Sequence, residues 1–225
     1  MDSKNIYILV PAYNEESVIK DVILEIKKSG FEKIIVIDDG SIDNTHQKTK
    51  GIENVIGLRH FLNRGKGAAL KTGMEAAKIL NADIVVTMDG DGQHNPADIK
   101  KMLALIEQGN DVVLGSRLKN PEGMPKYKIL HNLIGNFLVW MIYGLWVTDS
   151  QSGFRAYSKK AIGMIDTKTD RYEYDSEVIR EICYHKLKYA EVPIEVRYTE
   201  YSMGKTHKMN LKNGIKTLIK MLISS

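Results

Sequence analysis

Short apolar runs rich in valine and isoleucine alternate along the chain with stretches in which apolar residues recur at helical spacing. The apolar runs occupy residues 6–10, 33–37, 54–58, 84–88 and 111–114. Because each run is continuously apolar rather than alternating, we predict strands that are covered on both faces. The helical spacing occurs at Val18, Ile19, Val22, Ile23 and Ile26, at Ala68, Ala69, Met74, Ala77 and Leu80, and at Ile99, Met102, Leu103 and Ile106. This alternation predicts an α/β fold with a mainly parallel central sheet flanked by helices.

A polar cluster follows each predicted strand. These clusters occupy residues 11–16, 38–41, 60–67, 89–94 and 115–117. Ligands of a mainly parallel sheet bind beyond the carboxyl ends of the strands, so the clusters are expected to converge on one crevice. No repeat, low-complexity segment or linker divides the 225 residues, and a hydrophobic content of 43% is ample for a core. We therefore predict a single domain.

Two carboxylates emerge together where the fourth predicted strand ends. Asp89 and Asp91 are two residues apart, so their side chains return to the same side of the chain, while Gly90 keeps the turn uncrowded. Gln93 adds a neutral oxygen within the same reach. Capping of the next helix is the alternative role for a strand-end aspartate. Because oxygen ligands suit a hard divalent cation, we interpret Asp89, Asp91 and Gln93 as a metal site.

A segment with membrane character lies in the second half of the chain. No formal charge occurs between Ile129 and Thr148, and residues 137–147 contain both tryptophans, which favour the membrane–water boundary. A membrane-spanning helix needs about 20 predominantly apolar residues, whereas this segment includes His131 and Asn136. We predict a helix that is either buried or interfacial.

Positive charge is concentrated near the C-terminus. The whole chain has 32 basic and 28 acidic residues, a net charge of +4. Five lysines lie in a tail without acidic residues, namely Lys205, Lys208, Lys212, Lys216 and Lys220. As a helix, residues 208–223 would be amphipathic and basic, able to lie on an anionic membrane or to pack on their own domain. Nucleic acid is not an expected partner, because no aromatic residues are interleaved with the lysines.

The single cysteine, Cys183, excludes an internal disulfide and a cysteine-based zinc cluster, and it fits a reducing compartment. Residues 1–5 lead straight into the first predicted strand without the basic and apolar regions of a secretory signal. We expect a cytoplasmic protein that is peripheral at the cytoplasmic face of the membrane. Membrane access would depend on the interfacial helix, the basic tail or a separate small membrane protein.

Six motifs, in order along residues 6–205, resemble those of a family 2 glycosyltransferase with the GT-A fold, and they look most like the dolichol- or polyprenyl-phosphate sugar synthases. The motifs are Pro-Ala-Tyr-Asn-Glu-Glu at 11–16, Asp-Asp-Gly-Ser at 38–41, Asn-Arg-Gly-Lys-Gly at 63–67, Asp-Gly-Asp-Gly-Gln-His at 89–94, Gly-Ser-Arg at 115–117 and Asp-Ser-Gln-Ser-Gly-Phe-Arg at 149–155. Each motif alone is weak, whereas the ordered set is specific. With the Pro- and Gly-containing break at 120–125 as the boundary, we expect a nucleotide-sugar-binding half at 1–119, an acceptor-binding half at 120–204 and the basic amphipathic helix at 205–225.

The resemblance implies roles for individual residues. The nucleotide-sugar-binding residues would be Pro11, Tyr13, Glu15 and Asp39 at the base and ribose, Lys66 near the rim, and Asp89 and Asp91 at the diphosphate. Mg²⁺ or Mn²⁺ would be bound by Asp89, Asp91 and Gln93. A metal there neutralises the charge that develops on the departing nucleoside diphosphate.

The implied reaction is an in-line displacement that inverts the anomeric carbon. The expected catalytic residues are Asp91, Arg117 and Asp149. A lipid-phosphate acceptor is already anionic at neutral pH, because the second pKa of a phosphate monoester is about 6, and it needs no strong base. Arg117, Arg155 and Lys205 would then bind the acceptor phosphate. A sugar hydroxyl would instead need a carboxylate base, either Asp149 or Asp175.

Three functions therefore stay open. The first is transfer of a sugar from a nucleotide-diphosphate sugar to a polyprenyl (dolichyl-type) phosphate. The second is transfer by a family 2 glycosyltransferase to a sugar hydroxyl during glycan assembly. The third is a nucleotide-sugar sensor without catalytic activity, which would not require the metal carboxylates together with Arg117 and the 149–155 segment.

Overall fold

The computed structural model describes residues 4–171, 173–197 and 201. Its strands are β1 (Ile6–Ala12), β2 (Ile34–Asp38), β3 (Val55–Arg59), β4 (Ile84–Thr87), β5 (Val112–Ser116), β6 (Arg155–Ser158) and β7 (Tyr189–Pro193). Its helices are α1 (Ile19–Lys28), α2 (Thr45–Thr49), α3 (Lys66–Ile79), α4 (Asp98–Glu107), α5 (Lys126–Tyr143), α6 (Lys159–Met164) and α7 (Glu173–Tyr184). Lys205 and the basic helix predicted at 205–225 lie outside the described residues.

The strands form one seven-stranded sheet in the order β3-β2-β1-β4-β6-β5-β7. Strands β1 to β5 and β7 run parallel, and β6 is antiparallel to both β4 and β5. The prediction of a mainly parallel α/β sheet is confirmed. Because β6 and β7 come from the second half of the chain and pair with β4 and β5, the two predicted halves share one continuous sheet.

Both faces of the sheet are packed, as the continuous apolar runs predicted. On one face, Leu9, Ile37 and Val85 pack in a cluster with apolar residues of α3 and α7. On the other face, Ile8 and Val36 pack in a cluster with apolar residues of α1 and α4. Successive strand residues point to opposite sides, so an unbroken apolar run supplies both clusters.

Strand β3 departs from this prediction. It pairs only with β2 and stands at the edge of the sheet. Its central residues are solvent-exposed, and Ile56 retains 37% of its surface. The expectation that the 54–58 run is covered on both faces is therefore wrong, since Ile56 and Gly57 in this edge strand stay exposed.

Helix α5 contains most of the apolar segment, and it is buried along one side only. It begins after Pro125 and ends at Gly144, whose φ of 75° closes the helix in the left-handed region. Its buried residues are Asn132, Asn136 and Val139. Its exposed apolar residues are Tyr127, Leu130, Leu133, Ile134, Phe137, Trp140 and Met141. Within the described ranges, no helix has the length and apolar character needed to cross a membrane.

Candidate active site

The polar clusters lie at the carboxyl edge of the sheet. Strands β1, β2, β4 and β5 all end there because they are parallel. Strand β6 runs the other way, and its first residue, Arg155, pairs with Thr87 and Leu114 near the ends of β4 and β5. The segment before β6 therefore reaches the same edge. This arrangement gathers the motifs at 11–16, 38–41, 89–94, 115–117 and 149–155.

Asp39 is buried and organises the loop that leads into α3. Its carboxylate accepts hydrogen bonds from the backbone N–H groups of Arg64 at 3.0 Å and Gly65 at 2.7 Å. The Nδ1 atom of His60 lies 2.7 Å from the same carboxylate, and its Nε2 atom lies 2.9 Å from Thr72 Oγ1. Asp39 thus fixes one wall of the predicted base pocket, and His60 is a supporting residue that the motifs did not single out.

Glu15 and Tyr13 lie on the loop after β1. The Glu15 backbone is held by Thr45 Oγ1 at 2.8 Å, and its carboxylate Oε2 accepts a hydrogen bond from the Tyr201 hydroxyl at 2.8 Å. Tyr13 keeps 41% of its surface exposed, so its ring is accessible to a ligand. Pro11 is half-buried at the end of β1, where it pairs with Ile37. The structure therefore brings Pro11, Tyr13 and Glu15 together with Asp39 at one end of the crevice.

Lys66 lies between two carboxylates from different parts of the chain. Its Nζ atom is 2.7 Å from Asp89 Oδ1 and 3.6 Å from Asp175 Oδ2. Burial by itself would lower the pKa of Lys66, but the negative charges of Asp175 and Asp89 outweigh it and raise that pKa. Gly153 approaches so closely that a Cβ there would come within 2.2 Å of Lys66 Nζ. Lys66, which was expected near the rim of the nucleotide sugar, bridges the loop after β4 to α7 in the structure.

Asp89 and Asp91 differ in charge environment. Burial would raise the pKa of Asp89, but Lys66 and His94 lower it to about 2. Burial and the negative charge of Asp89 raise the pKa of Asp91 to about 6. Among the described residues, Lys66 lowers the pKa of Asp91 by less than burial and Asp89 raise it, so Asp91 is suited to meet an added positive charge.

The oxygen donors fit a hard cation that is held jointly with a ligand. The backbone N–H of Gln93 donates to Asp91 Oδ1 at 3.0 Å, which places Gln93 beside the carboxylates. The described part of the chain contains no cluster of three or more His, Cys, Asp or Glu side chains that could hold a metal alone. Mg²⁺ and Mn²⁺ sites of this kind complete their coordination with substrate phosphates and water.

His94 supports the 89–94 loop as a neutral imidazole. Its ring stacks on Phe154 with centroids 4.8 Å apart, and its Nδ1 accepts the Asp89 backbone N–H at 3.2 Å. Burial lowers the pKa of His94 to about 4 despite the nearby charge of Asp89. The interaction fixes the start of the 89–94 loop against the segment before β6.

Arg117 and Asp149 form a two-point ion pair. Arg117 Nε lies 2.7 Å from Asp149 Oδ2, Arg117 Nη2 lies 2.7 Å from Oδ1, and the Arg117 backbone N–H donates to Oδ2 at 2.9 Å. Asp149 is buried, whereas the Arg117 side chain is 25% exposed. Asp149 is therefore placed to orient Arg117, and its carboxylate is not open to take a proton from an acceptor hydroxyl.

Arg155 departs from the expectation of an acceptor-phosphate ligand. It is 1% exposed, and its Nε donates to Ser152 O at 2.8 Å. Its Nη2 donates to Ser150 O at 2.8 Å and to Asp175 O at 2.9 Å. A guanidinium that braces the 150–153 segment from inside the protein does not face an acceptor, so we remove Arg155 from the acceptor-phosphate set. Lys205 lies outside the described residues.

Comparison with known proteins gives the family. A family model described as Glycosyl transferase family 2 matches residues 7–165. An uncharacterised protein of Methanocaldococcus jannaschii is 43% identical over 231 residues, which cover 99% of this chain and 93% of the relative. A UDP-N-acetylglucosamine–dolichyl-phosphate N-acetylglucosaminyltransferase of Methanococcus voltae is 40% identical over 245 residues, which cover 99% of this chain and 97% of the relative.

A solved structure confirms the fold. Glucosyl-3-phosphoglycerate synthase from Mycobacterium tuberculosis, in complex with Mn²⁺, UDP and glucosyl-3-phosphoglycerate, matches with a TM-score of 0.69 at 20% sequence identity. The match covers 97% of this chain and 80% of that chain. The expected GT-A fold is thus confirmed. The family model over residues 7–165 and the Methanococcus voltae transferase show that the chain belongs to glycosyl transferase family 2.

Proposed function

We propose that the protein transfers a sugar from a nucleotide-diphosphate sugar to a polyprenyl (dolichyl-type) phosphate, with inversion at the anomeric carbon. One observation carries the choice of a phosphate acceptor: the carboxylates considered as bases are already paired. Asp149 is held by Arg117, and Asp175 lies 3.6 Å from Lys66 Nζ and 3.7 Å from Arg155 Nη2. A sugar hydroxyl needs a base to take its proton, whereas a phosphate oxygen arrives ionised.

The donor would lie across the carboxyl ends of β1, β2 and β4. In this proposal Pro11, Tyr13, Glu15 and Asp39 surround the base and ribose. Asp89, Asp91 and Gln93 would hold Mg²⁺ or Mn²⁺ on the diphosphate, and the bound metal would supply positive charge for the leaving group. The name of the Methanococcus voltae relative makes UDP-N-acetylglucosamine the first donor to test.

Arg117 is the proposed ligand of the acceptor phosphate. Its guanidinium is partly exposed and fixed by Asp149, so it can present donors to phosphate oxygens. Lys128, in the first turn of α5, has its pKa lowered by burial and by the positive charge of Arg117. An anion that binds between Arg117 and Lys128 would relieve the repulsion between these two cations. We therefore add Lys128 to the proposed acceptor-phosphate site.

The exposed face of α5 supports a peripheral membrane location. Phe137 and Trp140 keep 49% and 43% of their surfaces exposed, and Met141 keeps 59%. A helix with such a face lies in the plane of the interface, with its apolar side in the lipid. Because α5 begins at Lys126, close in the chain to Lys128, this contact would bring a lipid-borne phosphate to Arg117 at the cytoplasmic face. A small membrane protein that covers the same face is the alternative partner.

A transfer assay tests the proposal. Purified protein would be incubated with radiolabelled UDP-N-acetylglucosamine, Mn²⁺ and polyprenyl phosphate in vesicles, and the organic phase would be counted. We expect label in the lipid phase with the wild type and none with Asp91→Ala. Transfer only to a water-soluble oligosaccharide would refute the lipid acceptor. A thermal-shift screen with UDP-, GDP- and dTDP-sugars would identify another donor class, since a ligand that binds the native form raises its melting temperature.

A further inference from the structure

Asn136 connects α5 to the segment that holds Arg117. It lies on the buried side of the helix and is 1% exposed. Its Nδ2 donates to the Thr148 carbonyl at 2.6 Å, and its Oδ1 accepts both the backbone N–H and the hydroxyl of Ser150 at 2.9 Å. These bonds bracket Asp149, the residue whose carboxylate orients Arg117.

The segment from Thr148 to Ser150 is held on its other side by β7. Glu191 Oε1 accepts the Thr148 backbone N–H at 2.6 Å and lies 2.9 Å from the Thr148 hydroxyl. Residues 148–150 are thus held by Asn136 of α5 and Glu191 of β7, and in addition by Arg155 at the Ser150 carbonyl and by the Ser116 hydroxyl at Thr148. Of the elements that hold this segment, α5 is the one that carries a row of exposed large apolar side chains.

The surface of α5 beside Asn136 fits this segment closely. At Gly135, an added Cβ would come within 2.3 Å of Gln151 Nε2. The end of the Gln151 side chain therefore packs directly on the α5 backbone at Gly135, and it would have to move if a larger residue stood there. A shift of α5 would be passed to the 148–151 segment by packing as well as by hydrogen bonds.

We infer that Asn136 is a positioning residue that couples α5 to Arg117, so that the guanidinium fixed by Asp149 is held in a set position relative to the exposed apolar face of α5 and meets the acceptor phosphate there. This inference rests on the proposed function and adds the residue that ties the acceptor-phosphate site to the proposed membrane-facing helix. The coupling runs from α5 through Asn136 to Thr148 and Ser150, then through Asp149 to Arg117. Donor residues at the ends of β1, β2 and β4 are not on this route, so the coupling acts on the acceptor alone.

The test compares Asn136→Ala with Asn132→Ala. Asn132 is a matched control because it is 5% exposed and lies one turn earlier on the buried side of the same helix. The kinetic constants would be measured with vesicle-borne polyprenyl phosphate and with the nucleotide sugar. For Asn136→Ala we expect the acceptor KM to rise about tenfold, while the donor KM and the Kd for Mn²⁺-UDP stay within about twofold. Asn132→Ala is expected to change none of these constants beyond about twofold.

The outcomes separate the inference from the proposed function. Failure of the wild type to glycosylate polyprenyl phosphate would refute the proposed function. An active wild type with an Asn136→Ala acceptor KM no higher than that of Asn132→Ala would refute the coupling, as would an equal loss for donor and acceptor. If Asn136→Ala does not fold, Ser150→Ala removes only the hydroxyl bond and should raise the acceptor KM about threefold with an unchanged donor KM. An unchanged acceptor KM in Ser150→Ala would then refute the coupling.

Discussion

The Asp149 carboxylate binds the Arg117 guanidinium at two points, with Nε–Oδ2 and Nη2–Oδ1 distances of 2.7 Å each. Two parallel hydrogen bonds fix the plane of the guanidinium as well as its position. The carboxylate is buried and the arginine reaches solvent. An anionic ligand would therefore meet a cation whose direction is already set, and little ordering would be needed at the moment of binding.

Asp149→Asn tests this relationship. The amide can accept at one oxygen only and turns an N–H group toward the guanidinium, so Arg117 loses its fixed plane. We expect kcat/KM for the acceptor to fall by at least about tenfold while the donor KM changes little. Steady-state kinetics with each substrate varied in turn would measure both.

Asp111→Asn is the matched control for Asp149→Asn. Asp111 is also buried, pairs with Lys160 at 2.9 Å and precedes β5 at the end of the strand opposite Arg117. Its substitution should lower stability without changing the acceptor kinetics. Equal kinetic losses in the two variants would mean that Asp149 acts through stability alone.

The second prediction concerns the metal. Asp91→Asn removes the carboxylate whose pKa is raised to about 6 by burial and by Asp89. We expect Mn²⁺-dependent UDP binding to weaken by at least about tenfold in calorimetry, and a chelator to bring the wild type to the same level. Asp83→Asn, at the opposite end of β4, should bind as the wild type does. Chelator-resistant binding by the wild type would contradict the proposed metal site.

The apolar pattern of the sequence was sufficient to predict the strands whose residues are apolar throughout, but it did not predict β6. That strand consists of Arg-Ala-Tyr-Ser, and only its pairing with β4 and β5 makes it part of the sheet. Its antiparallel direction brings the 149–155 motif to the carboxyl edge, which no local pattern signals. The exposure of the apolar face of α5 could not be predicted from the sequence either, because a high apolar content fits both a buried helix and an interfacial one.

Some site residues could be placed together from the sequence, and others are brought together only by the fold. Asp89, Asp91 and Gln93 are close in the sequence, so their proximity could be predicted from strand geometry. Lys66 and Asp175 are separated from Asp89 in the chain, and their bridge depends on how α3 and α7 pack against β4. Sequence motifs therefore predicted the candidate site residues, while the ion-pair partners of each charged side chain could be found only from the tertiary structure.

The third prediction uses Gly153. An alanine Cβ there would lie 2.2 Å from Lys66 Nζ and 3.1 Å from Asp89 Oδ1, so one of these groups must move. Because φ at Gly153 is not positive, the effect would come from this contact and not from backbone strain. We expect Gly153→Ala to weaken Mn²⁺-UDP binding by about tenfold in calorimetry.

Gly163→Ala is the control for Gly153→Ala. Gly163 lies in α6, and a Cβ there would meet nothing within 4 Å. Nucleotide binding should be unchanged, and replacement of a helical glycine should stabilise the protein by up to about 1 kcal/mol. If Gly153→Ala binds nucleotide as tightly as Gly163→Ala, the position of Lys66 does not matter to the donor site.

The fourth prediction is a pH dependence of stability from His94. Its pKa is about 4 in the folded protein, below its ordinary value of 6.5, because burial disfavours the charged ring. Above pH 6.5 His94 is neutral in both the folded and the unfolded protein, and the folded state has its full stability. Between pH 6.5 and pH 4 the His94 ring takes up a proton in the unfolded chain only, so stability is lost as the pH falls. The free energy of unfolding should fall by up to about 1.4 kcal/mol per pH unit from this residue.

Urea unfolding of the wild type and of His94→Asn between pH 7 and pH 4.5 would measure that contribution. Asparagine can still accept the Asp89 backbone N–H, but it does not titrate. We expect the difference in unfolding free energy between the two proteins to shrink as the pH is lowered. Parallel pH profiles would mean that His94 is not the titrating group.

The fifth prediction concerns the exposed face of α5. Leu133 and Phe137 keep 45% and 49% of their surfaces exposed. The chain has two tryptophans, and the Trp140 ring lies 5.7 Å from the Phe137 ring and 6.1 Å from the Trp146 ring, centroid to centroid. Burial of a large apolar side chain is worth about 1.5–3 kcal/mol, so the double change Leu133→Glu and Phe137→Glu should weaken binding to anionic vesicles by at least about tenfold. Tryptophan emission should shift to the blue on vesicle addition in the wild type and shift less in the variant.

Ile79→Glu separates a specific lipid contact from a general effect of surface charge. Ile79 ends α3 and is 80% exposed, so its replacement adds a carboxylate and removes an exposed apolar group without touching α5. We expect this variant to bind vesicles and shift its tryptophan emission as the wild type does. If the α5 variant also retains wild-type vesicle affinity, the membrane contact does not involve this helix, and a protein partner becomes the better candidate for its apolar face.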